Sequence, residues 1–162
     1  MKIRDAQAGD AAPLAELYNH FVLNTVTTFE EEPVSAGEMG ARVQDVVSWN
    51  LPWLVLLEGD ELKGYACAVR WKGRAAYRHS CESTIYLRAG HQGKGRGTAL
   101  YAALLERLQQ LKVHAVMGGI ALPNPASVAL HEKLGFEKVA HFAEVGSKFE
   151  RWVDVGYWQR ML

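Results

Sequence analysis

The stretch Ser83-Thr84-Ile85-Tyr86-Leu87-Arg88-Ala89-Gly90-His91-Gln92-Gly93-Lys94-Gly95-Arg96-Gly97-Thr98 runs from a β-prone segment into a glycine-rich basic loop and then into leucine-rich sequence. This order predicts a strand, a tight loop and the first turn of a helix. Glycines at positions 93, 95 and 97 let successive amides turn toward one centre, and the helix N-terminus adds partial positive charge. Such a loop is a cradle for a pyrophosphate. The glycine spacing does not fit the dinucleotide pattern, and no Gly-x-x-x-x-Gly-Lys-Ser/Thr string is present, so NAD and nucleoside triphosphates are disfavoured.

Working outward, the elements alternate without linker, repeat or low-complexity segment. Lys2 to Arg4 reads as a first strand, and Asp10 can cap a helix to about Val22, with Leu14, Leu17, Tyr18 and Phe21 on one face. Ser35-Ala36-Gly37-Glu38 has capping-box spacing and starts a second helix through about Val47. Trp53 to Leu57 and Leu62 to Trp71 read as strands joined by the hairpin composition Glu58-Gly59-Asp60-Glu61, and His79 to Leu87 as a third long strand. Leu100, Leu104, Leu105, Leu108 and Leu111 make Thr98 to Lys112 the main helix, followed by a strand from Val113 to Ile120. Asn124-Pro125 is a helix start and Gly135 its stop. Lys138 to Glu144 and Phe149 to Met161 read as two final strands, with Gly146 at the turn between them. The fold class is α/β, a sandwich built on a mixed sheet.

A chain of 162 residues is in the range of a single domain, here 1–162, and can bury a substantial core. Lysine plus arginine and aspartate plus glutamate are 18 each, which argues against a nucleic-acid surface. The apolar run from Leu51 to Leu57 is far too short to span a bilayer, and no charged-then-apolar leader precedes Ile3, so a cytoplasmic protein without membrane contact is expected. Cys67 and Cys81 have no metal-ligand spacing and are expected to be buried free thiols; no metal site is expected.

Gln92-Gly93-Lys94-Gly95-Arg96-Gly97 resembles the Gln/Arg-x-x-Gly-x-Gly/Ala signature by which GCN5-related N-acetyltransferases hold the pyrophosphate of acetyl-coenzyme A. Trp71-Lys72-Gly73-Arg74-Ala75-Ala76-Tyr77, Glu82-Ser83-Thr84-Ile85-Tyr86, Leu122-Pro123-Asn124, Leu130-His131-Glu132-Lys133-Leu134-Gly135-Phe136 and Trp152-Val153-Asp154-Val155-Gly156-Tyr157-Trp158-Gln159 extend the likeness. In that order they are similar to the phosphinothricin and methionine sulfoximine acetyltransferase branch, and Phe29-Glu30-Glu31-Glu32-Pro33 matches its substrate-facing loop. The resemblance implies a mixed, mostly antiparallel sheet of about seven strands with splayed central strands holding acetyl-coenzyme A. It further implies transfer of an acetyl group to the α-amino group of a small glutamate-like amino acid such as phosphinothricin, methionine sulfoximine or methionine sulfone. The branch is commonly dimeric, and the aromatic C-terminal hairpin favours a homodimer here.

An α-ammonium group has a pKa of about 8 and cannot attack while charged, so the chemistry needs a base, an oxyanion donor and a positioned thioester. The resemblance assigns the base to Glu82; a surface glutamate on an edge strand is the competing reading. Backbone groups at Ile85, Tyr86 and Leu87 are expected to serve the oxyanion and the pantetheine arm, and Gln92, Gly93, Lys94, Gly95, Arg96, Gly97 and Thr98 the phosphates. Asn124 is explained by helix capping and also has donors enough for the pantetheine arm, with Ser127 a weaker partner. His131 is either a residue that helps protonate the departing thiolate or a packed structural histidine. Arg74 can grip a substrate carboxylate with two parallel hydrogen bonds, beside Ala75 and Tyr77, while Phe29 and Glu30 can close the pocket. Two other readings stay open, an acetyltransferase for protein N-termini and a coenzyme A-binding module without catalysis.

Overall fold

The computed structural model describes residues 1–162. Its helices and strands run β1 (Lys2–Asp5), α1 (Ala11–Asn24), α2 (Ala36–Ser48), β2 (Trp53–Glu58), β3 (Glu61–Arg70), β4 (Ser80–Leu87), α3 (Arg96–Gln110), β5 (Ala115–Leu122), α4 (Pro125–Lys133), β6 (Glu137–Lys148) and β7 (Arg151–Met161). All seven strands join one sheet in the order β1-β2-β3-β4-β5-β7-β6, and only the β4–β5 pair is parallel. Helices cover both faces. Leu14, Leu17, Met39 and Val43 of α1 and α2 pack on Val55 and Tyr65, while Leu100, Leu104 and Leu108 of α3 pack on Leu56, Val116 and Trp158 across the sheet. Cys67 and Cys81 are buried free thiols, and burial pushes both up to about 12, so they act as small apolar residues.

The capping box at α2 is present: the Glu38 amide donates to Ser35 Oγ at 3.2 Å, and the Ser35 amide donates to the Glu38 carboxylate at 2.8 Å. Asp10 does not cap α1. Its carboxylate accepts instead from the Arg4 guanidinium at 2.6 and 2.9 Å and from the Gln7 amide at 2.7 Å, because a short 3-10 turn over Ala8–Asp10 intervenes. The main helix begins two residues earlier than expected, at Arg96, so the last glycine of the loop is already helical.

The C-terminal hairpin corrects a further expectation. Gly146 lies inside β6, and the turn is Phe149-Glu150, with φ of 53° and 57°. Two successive positive φ values match the twist of the flanking strands, a requirement that asparagine and glycine normally fill. Gly146 has a packing role: a Cβ there would lie 2.2 Å from Phe29 Cζ. The α1–α2 loop is thereby seated on β6. Lys148 fastens it, donating from Nζ to the Thr28 carbonyl at 2.8 Å in a buried contact.

Candidate active site

β4 hands the chain directly to the glycine loop. Gly93 and Gly95 have φ of +82° and +76°, and Gly95 is the residue that opens α3. Only glycine takes this backbone without a steric penalty. The amides from Gln92 to Thr98 have no backbone acceptor and converge with the N-terminus of α3. A cleft of about 490 Å³ starts here and runs along Ile85, Tyr86 and Leu87 of β4 to Asn124 and Ser127 of α4. Lys94 is exposed. The Arg96 side chain is turned away from this duty: its guanidinium donates to both Glu58 oxygens at 2.6 and 3.0 Å, tying α3 to the end of β2 and holding the Glu58 carboxyl below its usual range. What Arg96 offers the loop is its amide.

The cleft exists because β4 and β5 diverge. They pair only from Ser80↔Ala115 to Glu82↔Met117, whereas β4 pairs with β3 along its whole length from Arg70↔Cys81 to Gly64↔Leu87. The Trp71 amide donates to the Ser80 carbonyl at 3.4 Å and the Arg88 amide to the Lys63 carbonyl at 2.8 Å, which fixes the phase of that ladder. Even-numbered residues bond to β3, so the peptide groups of Ile85 and Leu87 face the open edge. An extended chain can add itself there as a strand would.

Glu82 stands at the last rung before this fork. Its carboxylate lies on bare backbone, since a Cβ at Gly119 would be 3.2 Å from Glu82 Oε1 and 3.2 Å from the Tyr157 ring. Burial raises the Glu82 pKa, and the nearby Lys72 ammonium partly offsets this. The carboxylate is therefore more basic than an exposed glutamate, and its folded-state pKa lies above the unfolded one. That has a consequence for stability. Glutamate charge costs the fold nothing below the unfolded pKa, and the cost appears as pH rises through the folded pKa. Glu82→Gln should raise the melting temperature at pH 7.5 by about 2 °C and leave it unchanged at pH 4, as read by thermal denaturation. Equal shifts at both pH values would contradict the burial argument.

Asn124 caps α4, its Oδ1 accepting from the Ser127 amide at 3.1 Å, which leaves the side-chain NH₂ for the cleft that it lines. His131 is buried. Its Nδ1–H donates to the Ser127 carbonyl at 2.8 Å and its Nε2 accepts from the Tyr101 hydroxyl at 3.0 Å, which in turn lies 2.6 Å from Ser83 Oγ. Burial lowers the His131 pKa, so the ring is neutral. Both nitrogens are thus occupied inside the protein, although the ring borders a narrow extension of the cleft with Ser83, Gly119 and Asn124.

The predicted substrate residues are spread more widely. Tyr77 lines a second cleft of about 450 Å³ with Trp71, Lys72, Phe142 and Tyr157, on the β5–β7 side of Glu82. Arg74 and Ala75 lie on the exposed turn that carries Tyr77, outside the lining of that cleft. Phe29 packs over Gly146, and Glu30 pairs with Arg42 at 2.7 Å while its other oxygen is buried without a partner. The Tyr86 side chain belongs to the core, edge-on to Tyr18 and against Phe21 and Tyr65, and its peptide groups pair with β3, so unlike Ile85 and Leu87 it has no free backbone group at the open edge. Sequence reasoning missed Lys72, Tyr157, the bare backbone at Gly119, and Lys133, which lines the same cleft as the glycine loop. Lys72 belongs to the same Trp-Lys-x-Arg motif as Arg74 and is the cation that acts on Glu82.

Comparison with known proteins agrees with this geometry. Residues 3–156 match the acetyltransferase (GNAT) domain model. The chain is 36% identical to the L-amino acid N-acyltransferase MnaT of Escherichia coli over 100% of its own length and 94% of the relative's. It is 35% identical to a phosphinothricin N-acetyltransferase of Streptomyces coelicolor, covering 100% of this chain and 96% of that one. A phosphinothricin acetyltransferase of Sinorhizobium meliloti, solved in complex with AcCoA, superposes with a TM-score of 0.96 at 38% identity, covering 99% of this chain and 88% of that one.

Proposed function

This chain belongs to the GNAT acetyltransferase family, and from that premise we propose that it transfers an acetyl group from acetyl-coenzyme A directly to the α-amino group of a small free amino acid or analogue, with Glu82 as general base. The observation that carries the reading is the Glu82 carboxylate, partly buried at the rung where β4 and β5 part and set against Gly119, which lines the narrow extension of the cleft that begins at the glycine loop. The loop amides and Lys133 would hold the pyrophosphate, and the Ile85 and Leu87 peptide groups and Asn124 the pantetheine arm.

The thioester carbonyl then lies near the fork. Glu82 takes one proton from the α-ammonium group, directly or through a water, and the freed amine attacks the carbonyl carbon. The oxyanion is stabilised by β4 amides; its collapse forms the amide and expels the thiolate, which takes up the proton that the attacking nitrogen releases. Any water-sharing chain through His131 must break one of its two internal hydrogen bonds, which makes it the second candidate for proton transfer. A homodimer is supported by an exposed apolar row along the C-terminal hairpin, Val139, Phe142, Val145, Phe149 and Trp152. No helix is long and apolar enough to cross a membrane.

Recognition of the substrate carboxylate falls to Arg74 or Lys72. Arg74→Ala should raise the KM for methionine sulfone about 10- to 100-fold, the worth of one charge-assisted contact, with the acetyl-coenzyme A KM unchanged. Running Lys72→Ala beside it identifies which cation does more, and methionine sulfone amide, which lacks the carboxylate, should be a poor substrate for the unmodified enzyme. Wild-type KM in both variants together with full activity on the amide would remove the free-acid reading and favour peptide N-termini.

A further inference from the structure

A third cleft, of about 440 Å³, lies between α2 and strands β2 to β4, walled by Tyr18, Trp53, Tyr65 and Tyr86. Its position relative to Glu82 follows from the register. Val69 is the direct cross-strand partner of Glu82, Thr84 is two residues farther along β4, and both line this cleft. Cross-strand neighbours have Cβ atoms roughly 5 Å apart and residues i and i+2 share a face, so the cleft opens beside the proposed base. The cleft holding Lys72 opens on the other side of Glu82. An α-amino acid whose nitrogen sits at Glu82 and whose carboxylate turns toward Lys72 leaves its side chain the opposite direction. That direction is the aromatic cleft.

We propose that this cleft is the side-chain subsite of the acceptor amino acid and that it selects neutral side chains over anionic ones. The proposal rests on the amino-acid acetyltransferase reading and names the substrate class within it. The charge inventory of the lining supports the selection. Arg42 is its one cation and is already paired with Glu30 at 2.7 Å, while Asp45 adds a carboxylate to the wall. The second Glu30 oxygen is buried beside them without a partner. A carboxylate or phosphinate entering here would lose water and meet negative charge, with no free cation to compensate. A neutral side chain meets aromatic walls and the hydroxyl of Tyr65, a residue 3% exposed whose phenol is kept protonated by burial. Sulfone or sulfoximine oxygens beyond two methylenes suit that hydroxyl, and the volume also admits an aromatic ring.

The test compares methionine sulfone, alanine and phosphinothricin by thiol release from acetyl-coenzyme A. The kcat/KM for methionine sulfone should exceed that for phosphinothricin by about 10-fold or more, and Asp45→Asn should narrow the gap. Val69→Phe on β3 or Ala41→Phe on the exposed face of α2 narrows the cleft from opposite walls. Either should lower the ratio of kcat/KM for methionine sulfone over alanine by about 10-fold, since alanine has no side chain to seat. A preference for phosphinothricin overturns the charge selection, and an unchanged sulfone-to-alanine ratio in both folded variants overturns the subsite while leaving the acetyltransferase reading intact. Absence of turnover with every free amino acid overturns that reading and the subsite with it.

Discussion

Glu82→Gln should lower kcat for amino-acid acetylation by about 10²- to 10⁴-fold near neutral pH while acetyl-coenzyme A still binds. The substitution keeps the side chain's shape against Gly119 and Tyr157 and removes only its capacity to take a proton. The wild-type rate should climb with pH as the carboxylate, whose pKa is raised by burial, and the incoming amine lose their protons. In the variant the first of these steps is gone, so its rate should follow the amine alone and rise more steeply at alkaline pH. Some turnover should persist, because holding an amine against a thioester supplies much of the acceleration. Steady-state kinetics from pH 6 to 10 give the answer. Wild-type activity near neutrality would move the base elsewhere, with His131 the next residue to test.

Gly95→Asp should abolish detectable acetyl-coenzyme A binding, a loss of at least about 100-fold in affinity. Gly95 has φ of +76° at the opening of α3, and its missing Cβ faces open space. Any side chain strains this backbone, and a carboxylate puts negative charge where the free amides would receive phosphate. Gly97→Asp should act in the same direction and add a clash, since a Cβ there lies 3.2 Å from Leu87. Calorimetric titration with coenzyme A reads the loss, and circular dichroism confirms the fold. Native-like affinity in both folded variants would remove the pyrophosphate assignment.

The parts of this molecule that were legible in its sequence are those governed by local chemistry. The Ser35–Glu38 box, the Asn124-Pro125 helix start, the Gly135 stop and the 93–97 glycine loop all depend on residues a few positions apart, and all stand where expected. The misreadings came from longer contacts. Gly146 looked like a turn, yet its lack of a Cβ serves the Phe29 ring more than a hundred residues earlier in the chain, while Phe149-Glu150 turns the hairpin without a glycine. Asp10, an expected cap, is held by Arg4 across a turn. Arg96, an expected phosphate partner, turns its side chain to Glu58 on a neighbouring strand. The same limit applies to the site. Glu82 could be named from its motif, whereas its proximity to Lys72, Tyr157 and Gly119 depends on how β3, β4, β5 and β7 align. Periodicity does not encode that alignment.

The central claim is that a free α-amino acid is acetylated at the β4–β5 fork. Thiol release from acetyl-coenzyme A, measured across a panel of free amino acids and their N-terminally matched peptides with acetylated products identified by mass spectrometry, tests it most directly. The account predicts α-N-acetylation of free amino acids, with the peptides turned over poorly and the Glu82→Gln enzyme nearly inactive on both. Efficient acetylation of peptides with none of the free amino acids, or no acetylated product from any amine, would contradict it.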